Sequence, residues 1–251
     1  NYVVNRIALL RAVCNDADKQ GMEISPQLKN VKTISESKTP EEIIYLSFEE
    51  LKKIEDLKNL SPYLENVRNW LILGCYLGQR ESDLMKVNKT LIKEIKGIKI
   101  IEIQQEKTGK LMAIPLLPKA LNILETKNIH PITLSKFNDY AKKVCRLAGI
   151  DTPTQGKKTN PETGKKVKGI YPKHELISSH VCRRSFASNF YGDIPTPVLI
   201  NITGHSSESM FLKYIGKTSY DNAFAMIEHF TKFEQKKQEQ PKLKVLRQGQ
   251  S

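Results

Sequence analysis

The 251-residue sequence predicts a mainly α protein with one small antiparallel three-stranded sheet, an α+β fold. Three observations lead there. Apolar residues recur at helical spacing along most of the chain. Between 91 and 117 the pattern changes to Ile-rich segments parted by turn signals at Lys96-Gly97 and Thr108-Gly109. Capping serines, prolines and glycines bound the helical stretches where helices start and stop.

Taken in order, "YVVNRIALLRAVCNDADKQG" at 2–21 is a helix that stops at Gly21. A lone helix cannot bury its own apolar face, so 1–21 is expected to be a remnant of another domain. Residues 22–46 are polar and without period, and read as a linker. Ser47 and Glu50 in "LSFEELKKI" form a capping box that opens the next unit. A second helix, "SPYLENVRNWLILGCYLG", has Pro62 in its first turn and Gly78 near its end. Three strands follow in 91–117, then helical patterns near 118–126 and 133–148. Residues 151–173, rich in Gly, Pro, Thr and Lys, make a loop or a long hairpin. Helices resume over 179–191, 195–203, 207–214 and 219–236. In the last of these, Ala223, Phe224, Ile227 and Phe230 share a face, with Met226 at its edge and Ser219 or Asp221 as N-cap. Residues 231–251 read as a basic, flexible C-terminal tail.

Lys and Arg number 40 against 27 Asp and Glu, a formal net charge of +13. Such an excess points first to a phosphate-rich partner, because Lys and Arg release condensed counterions from nucleic acid. A membrane-spanning role is disfavoured, since no apolar run approaches the roughly 20 residues a bilayer requires. Cys14, Cys75, Cys145 and Cys182 are far apart in sequence, with no C-x-x-C pair. They read as free thiols of a reducing compartment, and no spacing suits zinc.

The stretch "SSHVCRRSFASNF" at 178–190 puts His180, Arg183 and Arg184 on one helical face. Like charges there repel unless an anion sits among them. Three further positions carry chemistry: Arg80 in "LGQRESDL", Lys107 in "QQEKTGKLMAIPL" at a hairpin tip, and His205 with Tyr214 nine residues on in "ITGHSSESMFLKYIG".

Together these residues resemble the catalytic domain of the tyrosine recombinases, the phage-type integrases, most of all those of bacterial conjugative transposons and prophages. "GQRESDL" matches the family's arginine box, Lys107 its hairpin lysine, His180 and Arg183 its H-x-x-R, and His205 with Tyr214 its G-H and tyrosine. The resemblance covers roughly residues 43–230 and implies that family's catalytic-domain fold over 47–230. It makes 1–21 the last helix of an N-terminal core-binding domain. It also implies site-specific cleavage and rejoining of DNA strands through a 3′-phosphotyrosine, without metal, cofactor or ATP, to integrate or excise a mobile element.

The chemistry of the residues agrees. Breaking a phosphodiester without metal takes a nucleophile, positive charge on the equatorial oxygens and an acid for the leaving oxygen. Tyr214 would attack. Arg80 and Arg183 would clamp the non-bridging oxygens. Lys107 would protonate the departing 5′ oxygen, and stands eight residues before Pro115, which favours it over Lys110. His180 would accept the tyrosyl proton or bond the phosphate, and His205 would donate to another oxygen. Asp83 would orient an Arg or His from behind. Arg184, Lys110, Lys157, Lys158, Lys165 and Lys166 would touch the DNA backbone, giving affinity rather than sequence readout.

The plainer explanations are a solvated basic stripe, an ordinary tyrosine and an exposed hairpin lysine; the order and spacing of the set outweigh them. His130 and His174 have no motif context, and Trp70 and Phe186 read as core. Two rival functions use the same residues: a type IB topoisomerase, or a catalytically silent integrase-derived DNA-binding protein. The expected partners are double-stranded attachment-site DNA and three further copies in a synaptic homotetramer, with a monomer when free. A host DNA-bending protein is an optional accessory. The expected location is the cytoplasm, at the nucleoid, with no membrane partner.

Overall fold

A computed structural model describes residues 2–31 and 43–218, and beyond them 220, 221, 223, 224, 226, 227, 230, 231 and 234. The chain divides into two compact units, Asn1–Glu41 and Glu42–Ser251.

The first unit holds helix α1 (Tyr2–Lys19), none of whose residues is buried, and a 3₁₀ turn at Pro26–Asn30. Ser25 caps that turn, accepting from Gln27 N–H at 3.4 Å, and Arg11 donates to Val31 O at 3.3 Å. Part of the expected linker is therefore ordered structure.

The second unit runs α2 (Phe48–Glu55), α3 (Pro62–Leu77), α4 (Glu81–Leu84), β1 (Ile92–Ile95), β2 (Ile98–Gln104), β3 (Leu111–Pro115), α5 (Pro118–Thr126), α6 (Leu134–Leu147), β4 (Pro153–Thr159), β5 (Lys166–Pro172), α7 (His180–Phe190), α8 (Thr196–Thr203) and α9 (Glu208–Tyr214). The capping box at Ser47 and Glu50 forms as expected. Helix α3 is apolar nearly all round, and Val67, Trp70, Leu71, Ile72, Leu73, Cys75 and Leu77 are all buried. A helix of that kind must be central; α5, α6 and α7 pack on it. Trp70 donates its indole N–H to His130 O at 2.8 Å, and Asn66 bonds the His130 backbone at both ends, so residue 130 is a structural anchor.

The antiparallel sheet β1-β2-β3 pairs Ile101 with Ile114 and Ile103 with Met112, and all four side chains are buried. Alternation puts Glu102 on the outer face, where it pairs with Lys93. The 151–173 region is the long hairpin, β4 with β5.

The expected boundary at 46/47 moves. Leu46 is fully buried, its N–H donates to Ser185 Oγ at 2.8 Å, and Asn189 donates to its carbonyl at 2.9 Å. The apolar run Ile43–Leu46 thus belongs to the catalytic unit, because Leu46 enters its core. Near the C-terminus, Thr218 makes the cap: its side chain bonds Asp221 reciprocally, in place of Ser219 or Asp221, and Ser219 lies outside the described residues. Residues 231 and 234 of the expected flexible tail are helical, and the remainder of 231–251 lies outside the described residues. No described helix is long and apolar enough to cross a membrane. Cys75, Cys145 and Cys182 are buried free thiols, and Cys14 is half-buried.

Candidate active site

The site assembles where α3 ends. Gly78 takes a left-handed conformation there (φ 66°), and a Cβ on it would lie 2.4 Å from Phe186. Its carbonyl accepts from Arg183 Nη1 at 3.3 Å. The next residue, Gln79, is buried and donates to Leu77 O and Ile202 O, which pins the turn to the end of α8. Arg80 then projects from the first position before α4. It donates to Gln105 Oε1 at 2.8 Å and to Gly204 O at 3.3 Å. Three segments distant in sequence therefore hold one guanidinium.

Arg183 comes from α7 and is only 5% exposed. Burial, with Arg80 adding repulsion, lowers its pKa to about 10, so it remains charged at neutral pH. The Asp83 and Glu81 carboxylates act in the opposite direction. Asp83 is fully buried and accepts from Glu106 N–H at 3.0 Å, which ties the β2–β3 turn to α4. Its observed bond is thus to the hairpin backbone. Lys107, next after Glu106, stands exposed in that turn. Lys110 is held to Asn201 Oδ1 at 2.9 Å.

His205 follows Gly204, the left-handed cap of α8. Its ring lies 4.9 Å from the Tyr214 ring and meets Phe211 edge-on at 5.4 Å, centroid to centroid. Nδ1 is 2.8 Å from Thr203 Oγ1. Burial first, then Arg183 and Arg80, lower its pKa to about 4, so the ring is neutral at pH 7. Tyr214 closes α9 under two guanidiniums, Arg183 at 6.0 Å and Arg184 at 5.5 Å from its ring. Burial raises the phenol's pKa against the pull of both arginines. The hydroxyl is shielded and has no hydrogen-bond partner among the described residues. His180 opens α7 with its side chain 65% exposed and Nδ1 3.5 Å from the Glu81 carboxylate.

Arg80, Arg183, His205 and Tyr214 thus meet in one place, with Lys107 and His180 on the elements that frame it. The expected backbone contacts divide. Arg184 lies against Tyr214 rather than on an outer face, because α7 turns its side chain toward α9. Lys158 pairs with Glu175 at 2.6 Å. Lys157 and Lys166 lie on the arms of the β4–β5 hairpin, and Lys165 precedes β5. Two residues at the site were missed. Gln105 binds Arg80 and Thr108 through one oxygen and is 1% exposed. Its signal was present: Ile101, Ile103 and Gln105 alternate, so a polar side chain continues the buried row of β2. Thr203, fully buried at the end of an apolar helix, carried a fainter one.

No protein-family model and no curated protein matches the chain. Solved structures do. The XerH site-specific recombinase, in a post-cleavage complex with palindromic difH substrate, superposes with a TM-score of 0.57 at 19% identity, over 91% of this chain and 66% of that one. The chain has the tyrosine recombinase catalytic fold. The Tn1549 transposon integrase with transposon right end DNA gives 0.58 at 16% identity, over 90% and 78% of the two chains. A lambda integrase tetramer bound to a Holliday junction gives 0.52 at 18%, over 81% and 58%. The chain spans just under two thirds of the XerH recombinase it matches.

Proposed function

We propose that this protein is a site-specific DNA recombinase of the integrase type, which cleaves and rejoins strands through a 3′-phosphotyrosine. The observation that carries the reading is the convergence of two arginines and His205 on Tyr214, the last residue of α9. A nucleophile beside buried cationic donors is what in-line attack on a phosphodiester requires.

In the proposed reaction a phosphate enters between Arg80 and Arg183, whose guanidiniums bond its non-bridging oxygens. Tyr214 Oη attacks phosphorus and the 5′ oxygen leaves with a proton from Lys107. His180 takes the phenolic proton. Ligation reverses the steps with a new 5′ hydroxyl, and the ester conserves the bond energy. Asp83 holds the Lys107 turn through Glu106. Lys157, Lys165 and Lys166 are proposed to grip flanking duplex. The substrate is double-stranded attachment-site DNA of a mobile element, acted on by a homotetramer on synapsed DNA at the nucleoid, with a host DNA-bending protein as accessory. The reading is supported by the DNA-bound states of the three matched recombinases.

The test uses nicked duplexes drawn from the DNA that flanks the gene, on which a covalent intermediate is trapped when the short strand diffuses away. The expected result is a denaturant-resistant protein–DNA adduct with the wild type and none with Tyr214→Phe, while DNA binding is kept. An adduct of undiminished yield in Tyr214→Phe overturns the mechanism.

A further inference from the structure

We infer that Thr203 is a positioning residue that fixes the tautomer of His205, keeping its proton on Nδ1 and leaving Nε2 as the nitrogen that meets the substrate. The argument is a count of protons. A threonine hydroxyl has one proton to give and two lone pairs to receive with. Thr203 Oγ1 lies 2.6 Å from Leu199 O and 3.4 Å from Ile200 O, both carbonyl oxygens that can only accept. At 2.6 Å two oxygens repel unless a proton lies between them, so the Thr203 proton is committed to Leu199 O. Toward His205 Nδ1, 2.8 Å away, Oγ1 is left able only to accept. Nδ1 must therefore carry a hydrogen. A neutral imidazole carries one N–H, so Nε2 bears a lone pair.

This has a consequence for the reaction, and here the inference rests on the recombinase reading. A neutral His205 locked in this way cannot donate to a phosphate oxygen. It can donate only as the imidazolium, with Nδ1–H on Thr203 and a second N–H at Nε2. The charged and titratable groups facing it are Arg80 from the start of α4, Arg183 from α7 and Tyr214 from α9. The two guanidiniums keep the ring neutral while the site is empty. A phosphate docking between them screens both. Nε2 then takes one proton from solvent and the imidazolium donates it to a non-bridging oxygen. Thr203 keeps the ring aimed through both states, because its oxygen accepts from Nδ1–H in each.

Nitrogen NMR of the imidazole, on DNA-free protein above pH 7, reads the tautomer without any activity. The wild type should show a protonated Nδ1 and an unprotonated Nε2. Thr203→Ser keeps the hydroxyl and should preserve that pattern. Thr203→Val keeps the shape, removes the hydroxyl, and should move the proton toward Nε2. On nicked DNA, Thr203→Val should slow single-turnover cleavage about tenfold or more with binding unchanged, and Thr203→Ser should restore most of the rate. A wild-type ring protonated at Nε2 overturns the proposal, whatever the variants do. So does Thr203→Val with wild-type cleavage, or Thr203→Ser as slow as Thr203→Val, which would mark packing rather than the hydroxyl. Should the wild type form no adduct with any DNA, the recombinase reading fails while the spectrum still decides the tautomer.

Discussion

At Arg183 and His205 the surroundings decide what each side chain can do. Arg183, buried under Tyr214, keeps its charge even at a pKa of about 10. His205, buried beside two guanidiniums, gives its charge up. The same shift makes His205 a pH sensor of folding. Its folded pKa is about 4, below the 6.5 it has when unfolded, so between those values the unfolded chain binds more protons. Stability contributed at this residue is present above pH 6.5 and is lost as pH falls toward 4. Melting temperatures of the wild type across that window should therefore drop more steeply than those of His205→Asn. The residue identities were legible in sequence because the chemistry fixes type, order and spacing. Gln105 and Thr203 were not, because each acts on a neighbour in space. Their partners, Arg80 and Leu199, are known only once the strand and the helix are placed.

The helices and strands were legible almost throughout, because the apolar periods of 3.6 and 2 are written locally. The exceptions have physical causes. Segment 43–46 has no period, yet Leu46 is drawn into the core and bonded by Ser185 and Asn189 from α7, partners about 140 positions away that no window contains. The turn from α8 into His205 shows how an element's end governs the site. Gly204 adopts φ 65°, and a Cβ there would stand 2.7 Å from Gln105 Nε2. Gly204→Ala should cost roughly 1–2 kcal/mol for the left-handed backbone, readable as a lower denaturant midpoint. Since Gln105 must also shift, the 2.8 Å bond that aims Arg80 is disturbed. Cleavage should fall by a larger factor than DNA affinity, measured as adduct yield against binding on the same duplex.

For the whole molecule, the +13 charge announced a phosphate-rich partner, but how copies assemble is not written in one chain's periodicity. What the structure adds is an imbalance near the C-terminus. Phe211 and Ile215 complete the core of the catalytic unit. Beyond the Thr218–Asp221 cap, Tyr220, Phe224, Met226, Ile227 and Phe230 are helical and between 55% and 76% exposed. Large apolar side chains gathered in the open mark a surface made for another molecule, and in a tetrameric recombinase the neighbouring protomer is the natural one. The two demands on this segment can be separated. If it served its own fold, removing it would uncover core; the described side chains are already in solvent, so little is lost. Truncation after Gly216 should therefore leave the melting temperature close to that of the full chain. Tyr214 and the residues around it all precede the cut, so adduct formation on a single nicked site should persist. Recombination between two sites should be abolished, because the contact that couples protomers would be gone. A truncated chain that melts well below the full one would assign the segment to its own core, and one that still recombines two sites would show that protomers couple elsewhere.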